Sequence, residues 1–93
     1  MMQDILDELY AVIVDRKVNP TPGSYTVKLL ADADEALKKV GEEAVEVILA
    51  GKGQSDQRLV EESADLLYHL FVVLVARGIP LDAVWEELQQ RRK

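Results

Sequence analysis

The sequence predicts an all-α fold, a bundle of helices. Three observations predict it. Apolar residues recur three and four positions apart over most of the chain, as on one face of a helix. No stretch alternates apolar and polar residues as a half-buried strand does. Proline and glycine gather at three places, Asn19 to Gly23, Gly51 to Gly53 and Gly78 to Pro80, and divide the periodic pattern there.

Taken in order, residues 1–17 carry Ile5, Leu6, Leu9, Val12 and Ile13 at helical spacing, with Asp4, Asp7 and Glu8 in the first turns where the helix dipole favours acids. Pro20 and Pro22 exclude any continuation. Ser24 is a good N-cap for a short helix through Leu30. Asp32 or Asp34 caps the next, and Glu35 three residues after Asp32 gives capping-box spacing. Leu37, Val40, Ala44, Val47 and Ile48 form the apolar face of that helix, and Gly51-Lys52-Gly53 ends it. Gly41, inside it at a cost of about 1 kcal/mol against alanine, is read as close packing of a neighbouring helix. Ser55 or Asp56 starts a helix that runs to about Arg77 and is apolar on almost all sides from Ala64 to Ala76, as the centre of a bundle or an interface requires. Gly78 and Pro80 stop it, and Val84, Trp85 and Leu88 give the last helix its buried face.

A chain of 93 residues reads as one domain, 1–93, near the low end of what buries an adequate core alone. Its 48% hydrophobic content places it among globular chains, and in so small a protein leaves apolar surface that an oligomer would cover. The absence of cysteine excludes a disulfide framework and thiolate metal sites and suits a cytoplasmic protein. The longest apolar run, Leu70 to Ala76, is far short of a membrane span, and acids interrupt the first residues where a signal peptide would be apolar. A net charge of −6 disfavours unspecific nucleic-acid binding, and the basic end at Arg91, Arg92 and Lys93 reads as complement to a helix dipole. An anionic ligand then needs a local positive site or a bridging divalent cation.

Two acidic clusters stand out. Lys39, Glu42, Glu43 and Glu46 share a stripe roughly 100° wide on one helix, and Arg58, Glu61, Glu62, Asp65 and His69 share another on the next. The first stripe alone is the pattern of a solvated face, with Lys39 and Glu43 as an i, i+4 pair. In the second, Asp65 interrupts a strongly apolar segment, so it must face water, pair with a base or bind a cation. If the stripes face each other, several carboxylates converge, and an all-oxygen set suits Mg²⁺ or Mn²⁺ better than zinc. Spacing alone leaves both the metal site and the solvated face open.

The pairs Glu43-x-x-Glu46 and Glu62-x-x-Asp65, with fifteen residues between them, resemble the all-α nucleoside-triphosphate pyrophosphatase (MazG-like) superfamily. Gly23-Ser24-Tyr25-Thr26 with Lys28, Leu29 and Leu30, the block Lys38 to Ala44, and Leu66-Leu67-Tyr68-His69 are similar to its phosphoribosyl-ATP pyrophosphatase family. The resemblance covers most of the chain and implies cleavage of the α–β phosphoanhydride of phosphoribosyl-ATP, giving phosphoribosyl-AMP and pyrophosphate in histidine biosynthesis. It also implies the stand-alone form of a domain that elsewhere is fused to the next enzyme, and an obligate homodimer in which helices of two chains complete the bundle. Under it, Glu43, Glu46, Glu62 and Asp65 hold Mg²⁺, and Glu42 takes the proton from the attacking water. Lys28, Lys38 and Lys39 neutralise outer phosphates, while Ser24, Tyr25 and Thr26 meet an anion at a helix start. The competing reading for Ser24 is a plain N-cap, for Tyr25 core packing, and for Lys28 an ordinary solvated lysine. His69 is expected to bind substrate or, more in keeping with its position, to orient a carboxylate. Two rival functions fit the same residues: a house-cleaning pyrophosphatase of (deoxy)nucleoside triphosphates, and a non-catalytic dimerisation module.

Overall fold

A computed structural model describes residues 2–92, with side chains from residue 5 onward. The expectations for Asp4 and Lys93 lie outside the described side chains. Five helices follow in order: α1 (Met2–Val18), α2 (Tyr25–Leu30), α3 (Ala33–Gly53), α4 (Asp56–Ala76) and α5 (Leu81–Arg91). No strand occurs among the described residues, so the all-α class holds.

Three of the starts are written in side chains. The hydroxyl of Ser24 accepts from the Val27 N–H, that of Ser55 from the Arg58 N–H, and an Asp32 carboxylate oxygen from the Glu35 N–H. Each satisfies an orphan donor of its helix, worth about 1 kcal/mol. The capping box at Asp32 is only half made, because the Asp32 N–H donates to the Leu29 carbonyl and so needs nothing from Glu35. α3 ends in the expected block, at Gly53, but without a left-handed glycine. Helix continues through Gly51 and Gly53, neither with positive φ, and stops where Gln54 turns extended so that Ser55 can cap α4. Gly23 and Gly78 do carry positive φ, 81° and 70°, in the turns before α2 and after α4.

α4 is the central element, packed against α3 along its length and against α1 and α2 on its other flanks. Phe71, Val72 and Val75 of α4 join Ile13, Leu29, Ala36 and Leu81 in one core. The Tyr10 ring meets Phe71 edge-on at 6.1 Å, and its hydroxyl donates to the Ile79 carbonyl. Lys17 donates to the Val75 carbonyl at 3.1 Å, closing the C-terminal end of α4 with a positive charge.

Several faces assigned from periodicity are narrower than expected. On α1, Ile5 and Val12 are exposed, and the core contacts come from Leu6, Leu9, Tyr10 and Ile13. On α5, Leu81 is buried and Leu88 exposed. On α3, Leu37 and Ile48 are 56% and 60% exposed, because its buried line runs instead through Ala36 and Ala50. Leu67 and Leu70 are exposed, so α4 is not enclosed on every side by its own chain. Gly41 faces no other helix of its own chain: a Cβ at this position would meet nothing within 4 Å.

Candidate active site

The long antiparallel contact of α3 and α4 brings the two acidic stripes together at one level. Glu43 from α3 and Glu62 and Asp65 from α4 place carboxylate oxygens within 4.8 Å of one another. Their surroundings differ. Glu62 is 6% exposed, Glu43 is half-buried and Asp65 faces solvent. The strain expected of a buried Asp65 therefore falls on Glu62, one turn earlier. Arg58, a turn earlier again, answers it by donating through Nη2 to Glu62 Oε2 while also holding Glu61.

Glu43 has no such partner. Burial, then repulsion from Asp65 and Glu62, push its carboxyl above the ordinary value, against a smaller pull from His69 and Lys39. Lys39 does not pair with Glu43 as the i, i+4 spacing suggests. It lies 3.4 Å from Glu42, and Lys38 lies 3.9 Å from the same carboxylate. Glu42 thus sits outside the cluster, between two ammonium groups. Glu46 is half-buried one turn beyond Glu43 and is not among the three carboxylates that converge.

His69 is buried on the same stripe and joins α2 to the cluster. Its Nδ1 lies 2.7 Å from the Asp65 main-chain oxygen, which can only accept, so Nδ1 carries the proton. In the neutral ring Nε2 is then an acceptor, and the Tyr25 hydroxyl donates to it at 3.1 Å. His69 orients the backbone of Asp65, not a carboxylate. Tyr25 stacks on Tyr68 at 6.3 Å, and the Tyr68 hydroxyl is hydrogen-bonded to Thr26 Oγ1. Burial raises the Tyr25 hydroxyl above its ordinary value, with Lys39 near enough to lower it again in part. Thus Ser24 is a cap and Thr26 a tie to α4, while Lys28 stays exposed.

Sequence reasoning missed two of these roles. Arg58 as partner of Glu62 was within reach, since the two are i, i+4 on one helix. The bonds from Tyr25 to His69 and Thr26 to Tyr68 join residues more than forty positions apart, and no periodicity encodes them. The donor set fits a divalent cation: it is all oxygen, offers three carboxylates at one point, and leaves Glu43 destabilised as an anion by burial and by the two neighbouring acids more than His69 and Lys39 offset.

Fold and site together define an all-α protein with a cluster of carboxylates that could hold a divalent cation. The family model described as phosphoribosyl-ATP pyrophosphohydrolase matches residues 6–92, and the chain belongs to that family. A phosphoribosyl-ATP pyrophosphatase of Trichlorobacter lovleyi is 60% identical over 96% of this chain and 83% of its own length. One from Methanocella arvoryzae is 48% identical over 99% of this chain and all of its own. A histidine biosynthesis bifunctional protein of Caldanaerobacter subterraneus is 48% identical over 97% of this chain but only 44% of its own length. The activity that goes with the family is hydrolysis of phosphoribosyl-ATP.

Proposed function

We propose that this phosphoribosyl-ATP pyrophosphohydrolase splits the α–β phosphoanhydride of its substrate at the Glu43, Glu62 and Asp65 cluster, as a cytoplasmic homodimer that uses Mg²⁺, or Mn²⁺ in its place. The observation that carries the reading is the convergence of those three carboxylates with Glu62 buried and held by Arg58. Glu46 is the fourth oxygen ligand, reached by a rotamer change on the adjacent turn. When bound, the cation offsets the repulsion between acidic site and substrate and polarises the phosphoryl oxygens.

The rest belongs to the chain. Arg58 fixes one Glu62 oxygen and leaves the other facing the cluster. His69 holds the backbone at Asp65. Lys38 and Lys39, both near Glu42, meet the outgoing pyrophosphate as point charges. Phosphates compete with Glu42 for those two ammonium groups, so substrate arrival frees Glu42 to accept the proton of the attacking water. The dimer reading is supported by apolar side chains exposed on both central helices, Leu37, Val45, Ile48 and Leu49 on α3 and Val60, Leu67 and Leu70 on α4.

The test is an assay of pyrophosphate release from phosphoribosyl-ATP beside a panel of deoxynucleoside triphosphates, with Mg²⁺ present. The expected kcat/KM is higher for phosphoribosyl-ATP by orders of magnitude. Preference for a deoxynucleoside triphosphate would overturn the reading.

A further inference from the structure

Beside the acidic cluster, but not part of it, lies an open hollow of about 510 Å³ between the loop after α1 and the first turn of α2. That volume is within the roughly 300–1,000 Å³ of small-ligand sites. Its walls are the rings of Pro20, Pro22 and Tyr25 and the side chain of Val27, and of its lining residues only Lys28 is charged. Of the two aliphatic hydroxyls in the lining, Ser24 is engaged by the Val27 N–H, and Thr21 remains. The wall is otherwise apolar and suited to a flat ring, with one ammonium group in its lining.

A chain of hydrogen bonds links the hollow to the cluster. Tyr25 forms its wall with the residue 47% exposed, yet its hydroxyl is bonded to His69, whose other ring nitrogen holds the main chain of Asp65. A ligand with phosphates at the carboxylates and a ring against Tyr25 would span the two. Among the described residues Lys28 has no carboxylate partner, whereas Lys38 and Lys39 share Glu42. Phosphoribosyl-ATP differs from ATP by a second phosphoribosyl group on the purine, a bulky sugar ending in a phosphate monoester.

We infer that the hollow bounded by Pro20, Pro22, Tyr25 and Val27 receives the purine, and that Lys28 binds the phosphate of its second phosphoribosyl group. Lys28 is then the residue that separates phosphoribosyl-ATP from plain ATP. This assignment rests on the function proposed above.

The experiment titrates phosphoribosyl-AMP and AMP calorimetrically into the full chain with Mg²⁺, for the wild type and for Lys28→Ala, Lys28→Glu and Lys28→Arg. Lys28 is exposed, and circular dichroism confirms that each variant is folded. Losing a charge-assisted contact to the phosphate lowers the phosphoribosyl-AMP to AMP affinity ratio about tenfold in Lys28→Ala. Lys28→Glu lowers it further, and Lys28→Arg keeps it within about twofold. A ratio that stays within twofold of wild type in both Lys28→Ala and Lys28→Glu overturns the assignment. If the wild type hydrolyses phosphoribosyl-ATP, that result removes the subsite alone. If it releases no pyrophosphate from that substrate, the proposed function falls and the subsite with it.

Discussion

Arg58 reaches one turn along α4 to hold the carboxylate of Glu62, the one buried acid of the cluster. The pair settles which oxygen of Glu62 is committed and which can face a ligand. Replacing Arg58 by Met keeps the aliphatic stem and removes the fork, so the Glu62 anion is left buried without compensation. We expect a lower denaturation midpoint and a loss of roughly 10–100-fold in kcat/KM, the range for partners that orient metal ligands. A double-mutant cycle with Glu62→Gln checks it, since most of the stability loss should vanish once Glu62 is neutral.

The three converging carboxylates should be separately indispensable for turnover and dispensable for folding. Glu43→Gln, Glu62→Gln and Asp65→Asn each keep size and helix propensity while weakening a ligand. Activity is expected to fall at least about a hundredfold in each, and the rise in Tm that millimolar Mg²⁺ gives the wild type should shrink. A variant with near-normal activity and an undiminished Mg²⁺ shift would remove that residue from the ligand set.

Glu43 also predicts a pH dependence in the metal-free protein. Burial, followed by repulsion from Asp65 and Glu62, raises its folded pKa above the ordinary 4.5. The folded state therefore holds the proton more tightly than the unfolded state. The penalty from Glu43 is absent below about 4.5, grows as pH rises toward the folded pKa, and is complete above it. With chelator present, Glu43→Gln should be more stable than wild type at neutral pH, and the gap should close as pH falls through the carboxylate range. Urea denaturation at a series of pH values reads the gap directly. A gap independent of pH would mean that Glu43 ionises as freely as in water.

How much of this was legible beforehand follows from the distances over which each feature acts. Ser24, Asp32 and Ser55 announce α2, α3 and α4 because a cap is a contact across three residues. The acidic stripes were legible because helical phase follows from spacing. Which member of a stripe is buried was not, since that depends on where α3 crosses α4: Glu62 lies at the contact line and Asp65, 60° around the helix, beyond it. The same crossing explains why Glu43 joins the cluster while Glu46 stands one turn off. The block Gly51 to Gly53 marked where α3 ends but not how: neither glycine adopts positive φ, and the stop comes where Gln54 turns extended.

The link between His69 and Tyr25 should matter to both stability and turnover. His69→Leu is similar in size and apolar, but it strips a partner from the Asp65 carbonyl and from the Tyr25 hydroxyl. The Asp65 carbonyl already serves in the helix, so the larger loss is on the Tyr25 side. Tyr25→Phe is then the milder change, at about 1 kcal/mol, and His69→Leu the larger, at about 2 kcal/mol. Because Tyr25 lines the hollow and His69 is tied to Asp65 of the cluster, KM for phosphoribosyl-ATP is expected to rise in Tyr25→Phe with kcat falling less. Equal losses of stability with unaltered kinetics would reduce the link to a structural tie.

Gly41 gives the sharpest test of assembly. Within one chain a Cβ at this position meets nothing within 4 Å, so Gly41→Ala in a monomer should stabilise α3 by about 1 kcal/mol. Helical phase puts Gly41 between Leu37, Val45 and Ile48, all more than half exposed. A small residue inside an exposed apolar stripe is where another helix can approach closely, and on the dimer reading that helix belongs to the second copy. We therefore expect Gly41→Leu, and independently Ile48→Glu, to shift sedimentation toward monomer at micromolar concentration while far-ultraviolet circular dichroism is retained. Dissociation should lower activity in parallel if the assembled form is the working one. Unchanged sedimentation in both variants would place the interface elsewhere, and a fully active monomer of the unmutated chain on dilution would dispense with it.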